Sequence, residues 1–168
     1  KLGLGSDSRI GKRFLNAGIG YGGSCLPKDV KALISFSDKI NYDFKILKSV
    51  EKINELQKVH IISKIKKFFN NDINGKHFGI WCLAFKPETD DIRESSSIKI
   101  VEICSTLNLE IFIHDPLSQD KFVDSLGSDI TGVNDWKSEI LDMDIVVIST
   151  AWPEYKFIET LYTNGSLD

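Results

Sequence analysis

Cysteine is scarce in this 168-residue chain, which has three, Cys25, Cys82 and Cys104, with no CxxC pair among them. An odd number at that spacing argues against a disulfide framework or a zinc site and for reduced thiols. An excess of positive charge is missing too, since 21 lysines and arginines face 24 acidic residues, giving a net charge of −3. No general pull toward nucleic acid or an anionic membrane follows, so any anion recognition has to be local. Long apolar runs are absent: residues 145–148 form the strongest one, far too short to cross a bilayer. Residues 1–5 offer no apolar stretch of signal-peptide length, and a cytoplasmic location is the default expectation. Neither an internal repeat nor a low-complexity segment is visible.

What the chain does have is 42% hydrophobic residues, enough for a core in one ordinary domain or two small ones. Residues 1–26 are glycine-rich and loop-like, and Pro27 followed by Lys28-Asp29-Val30-Lys31-Ala32-Leu33-Ile34 predicts a helix with proline in its first turn. Over 43–69, Phe44, Leu47, Val50, Ile53 and Leu56, then Ile61, Ile62, Ile65 and Phe69, predict one long amphipathic helix. Its length suits either a connector or a subunit contact. The turn-formers Asn70-Asn71-Asp72-Ile73-Asn74-Gly75 mark a boundary, dividing the chain into 1–75 and 76–168. Beyond it, apolar runs at 77–84, 109–114 and 144–149 alternate with helical patterns at 96–107, 136–141 and 154–161. The expected fold class is α/β: a long connecting and dimerisation helix followed by a Rossmann-like parallel-sheet domain. With no strand after the last helix, that sheet looks cut short.

Gly18-Ile19-Gly20-Tyr21-Gly22-Gly23 matches the GxGxxG spacing of dinucleotide sites. That motif needs a buried strand just before it, whereas Arg13-Phe14-Leu15-Asn16-Ala17 is short and mixed, and Pro27 delays the helix. A plain glycine loop without ligand is the simplest alternative. Cys25 argues for more, because the unpaired N–H groups and dipole of the helix behind it favour a thiolate, and Lys28 adds positive charge. Asp29 opposes thiolate formation by repulsion while offering a base or a water-orienting acceptor. Cys82 and Cys104, in an apolar strand and on a helix face, are expected to be inert packing residues. Ser95-Ser96-Ser97 opens a helix and has two open readings, phosphate binding and N-capping. A thiol transferase is poorly supported, for Cys25 has neither a resolving partner nor an adjacent histidine.

Three stretches resemble the UDP-glucose/GDP-mannose dehydrogenase family: Asp7-Ser8-Arg9-Ile10-Gly11 through Gly20-Tyr21-Gly22-Gly23-Ser24-Cys25-Leu26-Pro27-Lys28-Asp29, Phe85-Lys86-Pro87-Glu88-Thr89-Asp90-Asp91-Ile92-Arg93-Glu94-Ser95, and Ser149-Thr150-Ala151-Trp152-Pro153. The resemblance implies NAD-dependent oxidation of a sugar C6 alcohol to a carboxylate in two steps, through a cysteine thiohemiacetal and thioester. Cys25 matches the nucleophile and Asp29 the aspartate that assists hydrolysis. Arg9 matches an arginine reaching the nucleotide sugar of a neighbouring subunit, and Phe14, Leu15, Tyr21, Gly22, Gly23 and Ser24 belong to the loop that wraps it. Phe85 and Lys86 are implied to contact the sugar nucleotide, and Arg93 and Lys28 the NAD. UDP-glucose is the implied substrate, with a homodimer formed through 43–69 and with no metal, nucleic-acid or membrane partner. GDP-mannose or another nucleotide sugar is the alternative substrate, and a non-catalytic nucleotide-sugar-binding module the alternative function. The family's NAD domain, with a further catalytic lysine, asparagine and glutamate, is implied to precede Lys1, so the chain alone is expected not to turn over.

Overall fold

The computed structural model describes residues 1–13, 15–127 and 129–158. Phe14 and the end of the helix expected over 154–161 lie outside them; the described part of that helix opens as a 3-10 turn, Pro153–Tyr155. Among the described residues no helix is long and apolar enough to cross a membrane.

Within the glycine-rich start the chain makes one short helix, α1 (Leu2–Gly5), which the sequence pattern did not suggest. The next, α2 (Leu26–Lys39), begins directly after Cys25 with Pro27 in its first turn, where proline's missing N–H removes no bond. Asp29 near its start and Lys39 at its end both complement the helix dipole. The long helix, α3, runs from Lys45–Phe68 and stops where Asn70 and Asn71 take φ of 51° and 66°, a left-handed geometry that asparagine tolerates. Of the apolar positions, Val50, Ile53 and Leu56 are exposed, as are Ile46 and Val59, while Asn54, Lys58 and Ile62 are buried. Among the described residues nothing covers Ile46, Val50, Ile53, Leu56 and Val59, whereas Ile61, Ile62, Ile65 and Phe69 pack on the core of the sheet half.

The second half is a four-stranded, all-parallel sheet. In chain order its elements are β1 (His77–Trp81), α4 (Ser96–Cys104), β2 (Glu110–His114), α5 (Gln119–Leu126), β3 (Ile130–Gly132), α6 (Trp136–Glu139) with a 3-10 turn Ile140–Asp142, and β4 (Ile145–Ile148). The strand order is β3-β2-β1-β4, so α5 and β3 are additions to the sequence expectation. Central β1 has both faces covered and reads as a continuous apolar run, as buried parallel strands do. Phe78, Ile80, Ile100, Val101, Ile113 and Phe122 form the main core, and Ile62 of α3 belongs to it. On the other face, Trp81, Cys82, Val133, Trp136, Ile140 and Tyr155 form a second cluster. At its edge the Tyr155 hydroxyl lies 2.6 Å from His114 Nδ1.

Candidate functional site

In open α/β sheets ligands bind outside the carboxyl ends of the strands, where the strand order reverses. Here that point lies between β1 and β4, because β2 and β3 extend the sheet to one side and β4 lies on the other. The two loops leaving this point are shaped by internal hydrogen bonds. Cys82, at φ of 70°, turns the chain out of β1. Leu83 and Ala84 then donate their N–H groups to one oxygen of the buried Asp115 carboxylate, at 2.8 and 3.3 Å. The other oxygen accepts from Leu117 and Ser118 N–H at 2.9 and 2.8 Å. Ser95 caps α4 by accepting from Ser97 N–H at 3.2 Å, and its hydroxyl donates to Leu83 carbonyl at 2.6 Å. The Ser97 hydroxyl donates to Cys82 carbonyl at 3.0 Å. Of the two readings of these serines, capping is the one their bonds express.

The glycine loop has no strand ahead of it and is clamped between α3 and the segment after β1. Asn54 bonds Tyr21 at both N–H and carbonyl, and the Tyr21 hydroxyl donates to Glu51 at 3.1 Å. From the opposite side Gly23 N–H donates to Arg93 carbonyl at 3.0 Å, and Gly23 packs over the Phe85 ring. Gly22 lies so close to Glu94 that a Cβ would stand 2.2 Å from the Glu94 carbonyl oxygen. Lys31 of α2 donates to Glu94 Oε1 at 2.9 Å, tying α2 to the same segment.

Between loop, α3 and the ends of β1 and β4 opens a cleft of about 1100 Å³, whose walls include Tyr21, Asn54, Gln57, Phe85, Lys86 and Thr150. That volume is at the upper end for small-molecule sites. Lys86 Nζ lies 5.3 Å from the Phe85 ring centroid, which keeps a cation at the rim. Cys25 is exposed at the N-cap of α2, with Ser24 Oγ 3.8 Å from its Sγ. Asp29 lies one turn on, its N–H bonded to Cys25 carbonyl at 2.9 Å, so the two share a helix face. Lys28 pairs with Asp29 at 3.3 Å. Arg93 makes a two-pronged contact with Asp91, at 2.9 and 2.8 Å, which raises the guanidinium pKa and lowers that of the carboxyl; the nearby Cys25 adds to the rise. Burial pushes the Cys82 thiol up to about 11 and Cys104 up to about 12, so neither forms a thiolate near neutrality.

Of the expected substrate residues, the structure brings Tyr21, Phe85 and Lys86 together in the cleft wall. Gly22, Gly23 and Ser24 carry the chain from there to Cys25. Leu15 is outside the wall, although its neighbours Arg13 and Asn16 are in it. Arg9 does not enter its own chain's cleft; its highly exposed side chain pairs with Asp7 at 2.7 Å. The sequence reading missed Asn54, Gln57 and Glu51. The available signal was the polar 54/58 pair, one turn apart on an otherwise periodic helix.

Fold and site together define a Rossmann-like parallel-sheet domain joined to a helical arm that presents an exposed cysteine on a glycine loop. Models of the UDP-glucose/GDP-mannose dehydrogenase family match both parts, the central domain over residues 2–56 and the UDP binding domain over residues 79–165. The chain belongs to this family. It is 37% identical over 157 residues to UDP-glucose 6-dehydrogenase TuaD of Bacillus subtilis, covering 94% of this chain and 34% of that protein. Against the UDP-glucose 6-dehydrogenase of Rickettsia prowazekii the identity is 38%, over 92% of this chain and 36% of the relative. A solved UDP-glucose dehydrogenase from Pyrobaculum islandicum superimposes with a TM-score of 0.88 at 34% identity, covering 92% of this chain and 36% of that one. The chain thus spans about a third of the length of the relatives it matches.

Proposed function

We propose that this chain carries the nucleophile and the nucleotide-sugar cleft of an NAD-dependent UDP-glucose 6-dehydrogenase that forms UDP-glucuronate. The observation that carries the reading is the exposed Cys25, on the loop whose Tyr21 end forms the wall of the switch-point cleft. UDP-glucose is preferred to GDP-mannose because the relatives at 37–38% identity are UDP-glucose 6-dehydrogenases, whereas a solved GDP-mannose dehydrogenase from Pseudomonas aeruginosa stands at 23%.

In this reading Tyr21, Phe85 and Lys86 hold the nucleotide sugar, with Leu15, Gly22, Gly23, Ser24 and Phe14 in the enclosing loop. NAD would supply the oxidant, two molecules in succession each taking one of the two hydrides that leave C6. Arg93 and Lys28 suit its anionic groups, since both are solvent-facing cations beside Cys25, and Arg93 is held in place by Asp91. The glycine loop, lacking a preceding strand, offers no dinucleotide cradle, and the main NAD site is assigned to a part of the protein outside these residues. Once C6 is an aldehyde, Cys25 Sγ adds to its carbon and the oxygen takes a proton, giving a thiohemiacetal. After the second oxidation the sulfur is held as a thioester. Asp29 then orients water onto that carbon; the C–S bond breaks, the thiolate returns and the carboxylate leaves.

The exposed stripe of Ile46, Val50, Ile53, Leu56 and Val59 is assigned to contact with a second copy, which would let Arg9 reach the partner's nucleotide sugar.

Replacing Cys25 with serine in the full-length protein is expected to abolish UDP-glucuronate formation. Wild-type output from that variant would overturn the assignment. Oxidation of GDP-mannose but not UDP-glucose by the wild type would correct the substrate alone, and UDP-glucose binding without NADH formation would establish a non-catalytic module.

A further inference from the structure

Asn54 is a polar residue in a place where polarity needs a reason: the middle of α3, 5% exposed. Both ends of its amide go to a single residue of the glycine loop. Oδ1 accepts from Tyr21 N–H at 2.7 Å, and Nδ2 donates to Tyr21 carbonyl at 3.1 Å. A side-chain amide used this way grips the backbone as a neighbouring strand would, and the donor and acceptor order admits only one orientation of the amide. The loop lies directly on the grip: a Cβ at Gly20, where φ is 105°, would stand 2.7 Å from Asn54 Oδ1. One turn earlier on α3, Glu51 accepts from the Tyr21 hydroxyl at 3.1 Å. Tyr21 is therefore fixed to α3 at three points, four residues before Cys25. Between them, Gly23 is fixed to the sheet half through Arg93 carbonyl at 3.0 Å.

We propose that Asn54 is a positioning residue, which holds the Tyr21 backbone so that one loop sets both the cleft wall and the placement of Cys25. The assignment rests on the dehydrogenase reading above for its kinetic consequence, but not for the grip itself. Misplacement of a reacting atom by about 1 Å lowers rate on the order of a hundredfold, so a loosened loop acts on turnover more than on binding.

The test uses the full-length protein with Asn54→Ala, which removes both bonds, and Asn54→Asp, which sets an oxygen against the Tyr21 carbonyl so that repulsion lifts the loop off α3 and opens the Tyr21 N–H bond as well. The readouts are kcat and KM for UDP-glucose and hydrogen–deuterium exchange over residues 18–25. Both variants are expected to exchange the Tyr21 amide faster and to lose about tenfold to a hundredfold in kcat with a smaller change in KM. If the alanine variant does not fold, the aspartate variant decides. Tyr21 exchange unchanged from wild type overturns the proposal, whether or not the wild type oxidises UDP-glucose. Faster exchange with kcat unchanged overturns the positioning role. A wild type that oxidises no nucleotide sugar overturns the dehydrogenase reading, and the exchange rates then still decide the grip.

Discussion

At Gly22 the contact with Glu94 is to a backbone carbonyl, which cannot swing aside as the tip of a side chain does. Gly22→Ala is expected to lower stability by about 1–3 kcal/mol, read as a shift in the urea midpoint, because the loop has to lift off its seat. His114 gives the chain an acid-sensitive point. Burial holds its imidazole below the usual 6.5, and the neighbouring Tyr155 hydroxyl, whose own pKa burial pushes up, lies 2.6 Å from Nδ1. In the unfolded chain the ring takes a proton near its ordinary pKa, whereas in the folded chain it does so only at lower pH. Between those values the unfolded state binds more protons, so stability falls as pH drops below about 6.5. Thermal midpoints measured from pH 7.5 to 5.5 should decline in the wild type and decline less in His114→Gln. Asp91 and Asp144, whose pKa values are lowered by the Arg93 guanidinium and the His77 N–H, lose their contributions only in the more acidic carboxylate range. The two effects therefore separate along the pH axis.

Among the elements, α3 has an apolar face that the described residues leave uncovered from Ile46 to Val59 and a buried face that carries Asn54 and Lys58. Converting Ile46 and Leu56 together to glutamate should move full-length protein from dimer to monomer in sedimentation, since two charges would have to be buried in the contact. A dimer that persists would assign the contact to another surface. Periodicity made α3 legible almost to its ends, but it reports only which residues share a face, not what covers that face. For the same reason Gln57 and Glu51 could not be told from a solvated helix surface, and Asn54 could be picked out only through its pairing with Lys58 one turn on. The first strand was expected to reach residue 84 and stops at Trp81, because Leu83 and Ala84 give their N–H groups to Asp115 rather than to the ladder. Three-residue β3, with only Ile130 buried, offers no alternation to detect. Tyr21, Phe85 and Lys86 were expected near one another from long, specific motifs, and they do line one cleft, their role in it being the proposal made above.

At the scale of the whole molecule, the two halves share interior. Ile62 of α3 belongs to the same core as Phe78 and Ile80 of β1, and Lys31 joins α2 to Glu94. Ile62→Ala is expected to cost about 2–5 kcal/mol and to shift a single cooperative melt. A melt in two steps, with only the first one moved, would mean that arm and sheet unfold separately. The seat of Asp115 has a consequence for the whole domain. In a dinucleotide fold, the backbone donors that follow the first strand are where a cofactor's phosphates are received. Here the donors after β1, the N–H groups of Leu83 and Ala84, already hold a carboxylate supplied by the chain itself, the side chain of Asp115. With the Asp115 side chain occupying that position, the reading proposed above expects the nucleotide to be recognised across β1, on the side of β4.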